Sequence, residues 1–146
     1  MVSQGDAAIS QDTTSSTWTI SGAGLAVTLG LDPSQSLVVR RVENRHTGRI
    51  LIDAPQPDTQ LTLNGQTFAL TEAGTALRYA GARGVMWHGG VHLTIGYTAQ
   101  ALHATIVRHY ASYPASPVIE TWTTIQTADG ADPLVVSSLV GWQLSV

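Results

Sequence analysis

Apolar residues alternate with polar or small ones through most of this chain, and turn-forming residues interrupt the alternation about every ten residues. The clearest case is the run 25–31, in which every second residue is a large aliphatic one. Side chains of a strand point alternately to its two faces, so this pattern predicts strands with one buried face. No stretch keeps apolar residues at helical spacing for three turns. The chain is therefore predicted to be all-β, an antiparallel two-sheet β-sandwich.

Turn chemistry predicts two hairpins. Asn64-Gly65 lies between alternating apolar residues of the run 61–70, and both central residues of such a turn favour positive φ. The runs 91–98 and 102–110 form the second predicted hairpin, closed near residues 99–101. Between the two hairpins, a weak strand is expected over residues 77–80. A loop should follow it because glycines are frequent there, at Gly81, Gly84, Gly89 and Gly90.

Composition limits the classes of partner. The 146 residues, 43% hydrophobic and 12% charged, suit one globular domain. A net charge of −3 without lysine or any basic run argues against nucleic acid. Because there is no cysteine, disulfides, thiolate zinc sites and cysteine nucleophiles are excluded. No apolar run of about 18 residues predicts a membrane helix, and the cellular compartment stays open between cytoplasm and periplasm.

The two ends of the chain differ in pattern. Residues 1–16 predict a flexible N-terminal segment, and residues 17–146 predict the sandwich domain. The last apolar run stops at Val146 without a closing turn, which predicts a fragment of a longer chain. A terminal strand of this kind presents an adhesive edge. We expect it to be covered by the rest of the parent chain or to pair with a second copy in a homo-oligomer.

The segment Arg108–Gln126 joins two strand-like runs through a bend that contains Pro114 and Pro117. Each proline fixes its own φ and pushes the preceding residue towards an extended conformation. The segment resembles one in the N-terminal β-sandwich domain of family 36 glycoside hydrolases, the α-galactosidase group. The runs 18–32 and 44–48 are similar to other parts of that domain.

This resemblance implies a galactose-mutarotase-like supersandwich, here truncated. It implies a non-catalytic accessory domain that packs on the catalytic barrel of the parent chain, supports assembly and contributes to a site for galactosides. The catalytic strings of the family require a lysine and a cysteine, which this chain lacks. The chain alone is therefore predicted not to be an enzyme, with no catalytic residue and no cofactor. A free-standing carbohydrate-binding module and a structural adhesion-type sandwich are the alternatives.

Trp87 and His88 are the candidate carbohydrate-binding residues. Indole rings bind the apolar faces of sugars, and neighbouring polar groups orient them. These two residues lie in the predicted glycine-rich loop, where binding residues are frequent. The other tryptophans alternate with small or polar residues in strands and are predicted to lie in the core; they are Trp18, Trp122 and Trp142.

Histidines and carboxylates give weaker signals. Whether His92 shares a face with His103 and His109 depends on the hairpin register, which the sequence leaves open. No metal site is predicted. Most carboxylates lie in predicted turns beside proline or glycine, where they are expected to bind backbone N–H groups. Only Glu43 and Glu120 lie in predicted strands.

Overall fold

The computed structural model describes residues 1–142, and nearly all the regular secondary structure in this part of the chain is β-strand. The predicted all-β class is confirmed. One 3₁₀ turn spans Gln100–Leu102, and no helix in the described range is long and apolar enough to cross a membrane. In chain order the strands are β1 Val2–Gln4, β2 Ala7–Asp12, β3 Thr17–Ser21, β4 Leu25–Leu31, β5 Leu37–Asn44, β6 Ile50–Ile52, β7 Gln56–Pro57, β8 Gln60–Leu63, β9 Gln66–Ala69, β10 Leu77–Trp87, β11 Gly90–Ala99, β12 Ala104–Ser112, β13 Ile119–Thr127 and β14 Val136–Val140.

The strands form three antiparallel sheets. Sheet 1 has the order β1-β2-β3-β4-β5-β6, and β7 also pairs with β5. Sheet 2 has the order β10-β11-β12-β13, so each strand pairs with the next one in the chain. Sheet 3 has the order β14-β8-β9. Short connections between sequence neighbours explain this meander, since antiparallel strands can be joined by tight turns.

The core lies between sheets 1 and 2. β2 contacts β11, β3 contacts β12, and β1 contacts both β10 and β11. The predicted packing of antiparallel sheets on each other is thus confirmed, and sheet 3 contributes to the same core. The buried apolar residues of the predicted strands include Val27, Leu29, Leu63, Leu93, Ile95 and Ile106. Four others, Leu25, Phe68, Ile119 and Ile125, are partly buried against the core.

Both predicted hairpins are confirmed. Asn64 and Gly65 have φ values of 49° and 81°, and Leu63 pairs with Gln66 across them. Positive φ at both central residues is the backbone of a type I′ turn. In the second hairpin, β11 and β12 pair with Ala99 opposite Ala104. This register determines which side chains share a face of sheet 2.

The N-terminal residues include β1 and β2, at a place where the sequence predicts a flexible segment. β1 and β2 pair in a hairpin with Val2 opposite Ile9, and Ile9 is buried in the core. The turn between them places Gly5 at φ 59°. The sequence reading missed these strands because β1 is only three residues long and the alternation in β2 spans only Ala7 and Ile9.

The predicted loop after residue 80 is wrong. β10 continues without interruption from Leu77 to Trp87 and pairs with β11 along its whole length. Its register shifts between Tyr79 and Gly81, which is a β-bulge at Ala80. Glycine is frequent at bulges and at close approaches between strands. Here Gly84 faces Ile9 of sheet 1 so closely that a Cβ would lie 3.1 Å from the isoleucine side chain.

The proline bend connects β12 to β13, as predicted, and it packs against sheet 1. The backbone N–H of Ala115 donates to Asp6 Oδ1 over 2.8 Å, and Ala23 N–H donates to the Ser116 carbonyl over 3.2 Å. A Cβ on Gly24 would lie 3.2 Å from Pro117. The bend therefore fixes one end of sheet 2 onto the turns of sheet 1.

Candidate functional site

Four aromatic side chains meet on the face of sheet 2 that points away from the core: Trp87, His92, His109 and Trp122. We call them the ring cluster. Each of the four is partly exposed. They come from four different strands, β10, β11, β12 and β13, so the cluster crosses the full width of the sheet.

The bulge in β10 decides that Trp87 belongs to this cluster. Before the bulge, Leu77 and Tyr79 point inward and pack on the core. With strict alternation Trp87 would also point inward. The extra residue at Ala80 reverses the parity, so that Gly84 faces sheet 1 and Trp87 faces outward. A bulge can re-aim a side chain in this way.

Strand pairing brings the other three rings together. His109 lies directly opposite Trp122, and His92 lies opposite Ala111, one position along the same face. The ring centroids of His109 and Trp122 are 4.8 Å apart with planes at 4°, and those of His92 and Trp122 are 5.2 Å apart at 13°. Trp87 lies 4.6 Å from His92 and 5.7 Å from Trp122.

The cluster covers Ala111. This residue follows the outward parity of β12, yet it is 0% exposed and lies outside the main core. His92 and Trp122 come from strands on either side of β12, and their rings nevertheless approach within 5.2 Å. They therefore lean towards each other above the small alanine side chain. A larger side chain at this position would push the rings apart.

The two imidazoles are joined by a hydrogen bond. His92 Nε2 and His109 Nδ1 are 3.0 Å apart, and the ring planes differ by only 12°. The ring centroids lie 5.1 Å apart. This separation fits two imidazoles that face each other edge to edge through these nitrogens. On its other side, His109 Nε2 lies 2.8 Å from Thr124 Oγ1. Both nitrogens of His109 are thus engaged.

Burial among neighbouring rings favours the neutral imidazoles. It lowers the pKa of His92 below the ordinary value of 6.5. It also lowers the pKa of His109, with smaller contributions from the positive charges of His92 and Arg108. Two fully protonated rings would place two N–H groups against each other across the 3.0 Å contact. The pair therefore accepts at most one proton without breaking its bond.

These lowered pKa values predict acid sensitivity of the fold. Below pH 6.5 the unfolded chain binds more protons at these histidines than the folded chain, so the free energy of unfolding should decrease as the pH falls from 6.5 towards the lowered values. Well above pH 6.5 these histidines are deprotonated in both the folded and the unfolded chain, so they should contribute no pH dependence there. Urea unfolding between about pH 8 and pH 5 measures this effect.

Two variants test whether the His92–His109 pair causes this pH dependence of the free energy of unfolding. His109→Gln removes one partner and should flatten the pH dependence in this range. His103→Gln is the control, because His103 lies exposed in the turn before β12. A steep pH dependence that persists in His109→Gln would contradict the assignment.

The structure places the predicted site residues in new surroundings. Trp87 ends a strand instead of lying in a loop. His88 and Gly89 form the tight turn to β11, with φ values of 50° and 77°. His88 is exposed and contacts Trp87 edge-on at 4.2 Å. Both residues are therefore at one end of the ring cluster.

Trp122 was predicted to be core, and this is wrong. The core face of β13 carries Ile119 and Ile125, and Trp122 shares the outer face with Glu120 and Thr124. The register of β11 against β12 also decides which histidines share a face of sheet 2. His92 and His109 share a face, whereas His103 lies in the turn before β12. Within residues 1–142, no group of three or more His, Asp or Glu side chains is arranged to hold a metal ion.

A second polar group, which the sequence reading missed, lies inside the sandwich. Arg108 Nε and Asp58 Oδ2 form an ion pair at 2.6 Å, with the two side chains 2% and 0% exposed. The carboxylate also accepts hydrogen bonds from Trp142 Nε1 at 2.5 Å and from Thr59 Oγ1 at 3.0 Å. The guanidinium carbon lies 5.1 Å from the ring centroid of Tyr110.

This buried pair connects β12 of sheet 2 to the segment before β8. Arg108 Nη1 also donates to Thr123 Oγ1 over 3.2 Å, while Arg108 Nη2 and Tyr110 Oη have no partner among the described residues. Burial raises the pKa of Tyr110 well above 10, and the negative charge of Asp58 adds to this. We assign this group a structural role, because the carboxylate, the guanidinium and the tyrosine hydroxyl are all enclosed by protein.

Comparison with models of protein families, with curated proteins and with solved structures finds no match to this chain.

Proposed function

We propose that this chain is a non-catalytic β-sandwich domain that accompanies an α-galactosidase-like glycoside hydrolase, and that the ring cluster is its sugar-binding surface. The observation that carries the proposal is the convergence of two indoles and two imidazoles on one exposed face of sheet 2. Aromatic groups that stay partly exposed on the surface of a soluble protein often mark a binding surface. The likeness of the segment Arg108–Gln126 to that family supports the type of parent enzyme.

The chemistry of the cluster suits a sugar ring. Carbohydrate C–H groups form flat apolar patches that pack on aromatic rings, while hydroxyl groups require hydrogen-bonding partners at the edge. Trp87 and Trp122 supply the apolar surface. The outer face around them also carries Glu120 and Thr124 on β13 and the exposed His88 at the turn. A ligand that stacked on the indoles would have polar groups within reach on two sides.

A separate surface supports packing against the remainder of an enzyme. β14 is an edge strand of sheet 3, and three large apolar residues on or beside it are exposed: Val135 by 61%, Val136 by 46% and Leu139 by 46%. An exposed apolar strand edge favours contact with another domain or chain. This surface is distinct from the ring cluster, so both could be used at once.

Removing either indole of the cluster should weaken sugar binding. We expect Trp122→Ala and Trp87→Ala each to raise the dissociation constant for methyl α-galactoside at least about tenfold, because each loses an aromatic stacking surface. Isothermal titration calorimetry with the sugar in the millimolar range measures this directly.

Met86→Ala is the matched control. Met86 neighbours Trp87, points to the other side of β10 and is 61% exposed, so its removal should leave the affinity unchanged. Wild-type protein that binds no galactoside, or tryptophan variants that bind as well as the control, would overturn the assignment of this surface.

A further inference from the structure

Of the four imidazole nitrogens in the ring cluster, one remains available to a ligand. His92 uses Nε2 to bind His109, and its Nδ1 has no hydrogen-bond partner among the described residues. This unpaired nitrogen is not fully buried, so water reaches it. His109, in contrast, has no free nitrogen, because Thr124 occupies the second one.

The chain of contacts from Thr124 to His92 couples the proton positions. If the Thr124 hydroxyl donates to His109 Nε2, then His109 Nδ1–H donates to His92 Nε2, and neutral His92 carries its proton on Nδ1. If Thr124 instead accepts from His109 Nε2–H, then His92 Nε2–H donates to His109 Nδ1, and His92 Nδ1 is an acceptor. Both arrangements are uncharged and keep every bond. His92 Nδ1 can therefore donate or accept without a change in net charge.

We propose that His92 Nδ1 is the group that orients a sugar on the ring cluster, by a hydrogen bond to one ring hydroxyl. This inference rests on the proposed function. A sugar hydroxyl both donates and accepts, so it matches a nitrogen that can do either. The nitrogen belongs to the His92 ring, whose centroid lies 4.6 Å from that of Trp87 and 5.2 Å from that of Trp122. A sugar stacked on either indole would hold its rim hydroxyls beside it.

Two substitutions of His92 separate its two nitrogens. In His92→Asn the side-chain amide reaches the position of Nδ1, whereas in His92→Gln it reaches the position of Nε2. Both variants lose the imidazole ring, so they form a matched pair. We expect His92→Gln to bind methyl α-galactoside about five- to tenfold more weakly than His92→Asn, the usual effect of one hydrogen bond. Circular dichroism confirms that each variant is folded.

Monodeoxy derivatives of methyl α-galactoside identify the hydroxyl. For wild-type protein, one derivative should bind about five- to tenfold more weakly than the parent sugar. The same derivative should show no such penalty with His92→Gln. In ¹⁵N NMR of the wild-type protein, the parent sugar should shift the His92 Nδ1 resonance, and that derivative should not.

The possible results distinguish a failure of the proposed function from a failure of the proposed role of His92. If wild-type protein binds no sugar at all, the proposed function fails and this inference fails with it. If wild-type protein binds but the two His92 variants have equal affinities and the Nδ1 resonance does not move, only the role of His92 is overturned. If a variant does not fold, the NMR titration of the wild-type protein decides alone.

Discussion

Replacing Asp58 by alanine is expected to lower the free energy of unfolding by about 3–5 kcal/mol. The substitution leaves the Arg108 guanidinium, 2% exposed, without its countercharge inside the sandwich. It also removes the acceptor for Trp142 and Thr59. A charge buried without a partner costs far more than the pair itself contributes. Urea unfolding followed by tryptophan fluorescence measures the difference.

An exposed ion pair of the same protein is the control. Arg41 and Glu43 lie 3.0 Å apart, but their side chains are 45% and 34% exposed. Glu43→Ala should cost less than about 1 kcal/mol, because water screens the pair. The double variant Asp58→Asn with Arg108→Met should lose less than the sum of its single variants, since no charge is left buried. Equal losses for Asp58→Ala and Glu43→Ala would contradict the view that burial sets the size of the effect.

The second large effect is expected at Trp18. Its side chain is 3% exposed and packs in the core, 6.4 Å from the ring centroid of Tyr79. Trp18→Ala should destabilise the fold by about 3–5 kcal/mol, through lost burial and the cavity left behind. Chemical denaturation of the variant and of the wild-type protein gives the value.

Trp122→Ala makes the comparison within the same residue type. Trp122 is half-buried on the outer face, so its loss should cost less than half as much stability as the loss of Trp18. Its sugar binding should nevertheless be impaired. Trp18 and Trp122 variants with equal stabilities would show that the outer face of sheet 2 is covered as completely as the core.

These two tryptophans illustrate how far the sequence predicts the fold. Both stand in strands between threonines, and the alternation correctly predicts a strand in each case. Whether each tryptophan is buried can be inferred from the other residues on the same face of its strand. Trp18 shares its face with Ile20, whereas Trp122 shares its face with Glu120 and Thr124. Comparing the two faces of each strand would have placed Trp122 outside the core.

Two features of the site were not readable from local pattern. The bulge at Ala80 reverses the parity of half a strand, and its glycine-rich surroundings are as typical of a loop as of an irregular strand. The meeting of His92 with His109 depends on a register fixed by the 3₁₀ turn at Gln100–Leu102. One residue more or less in that turn would move His92 to the other face.

The carboxylates also show that the local sequence does not always identify the partner of a side chain. Asp32 binds the backbone N–H group of Ser34, as predicted from its turn, and Asp12 binds that of Thr14 in the same way. Asp58 has a similar local sequence, beside a proline, yet its partner is Arg108, 50 residues away. A local motif cannot distinguish a turn carboxylate from a buried one, because the long-range contact decides.

The attachment of the proline bend to sheet 1 has a consequence for how the chain acquires its structure. Ser112 Oγ donates to the Ser21 carbonyl across 91 residues, and the Ala115–Asp6 bond spans 109. Domains dominated by such distant pairings fold in milliseconds to seconds. During synthesis at about 5–20 residues per second, the first strands would emerge several seconds before the strands that cover them. In that interval their apolar faces are open to chaperones and to aggregation, so translation speed across the middle of the chain would influence the yield of native protein.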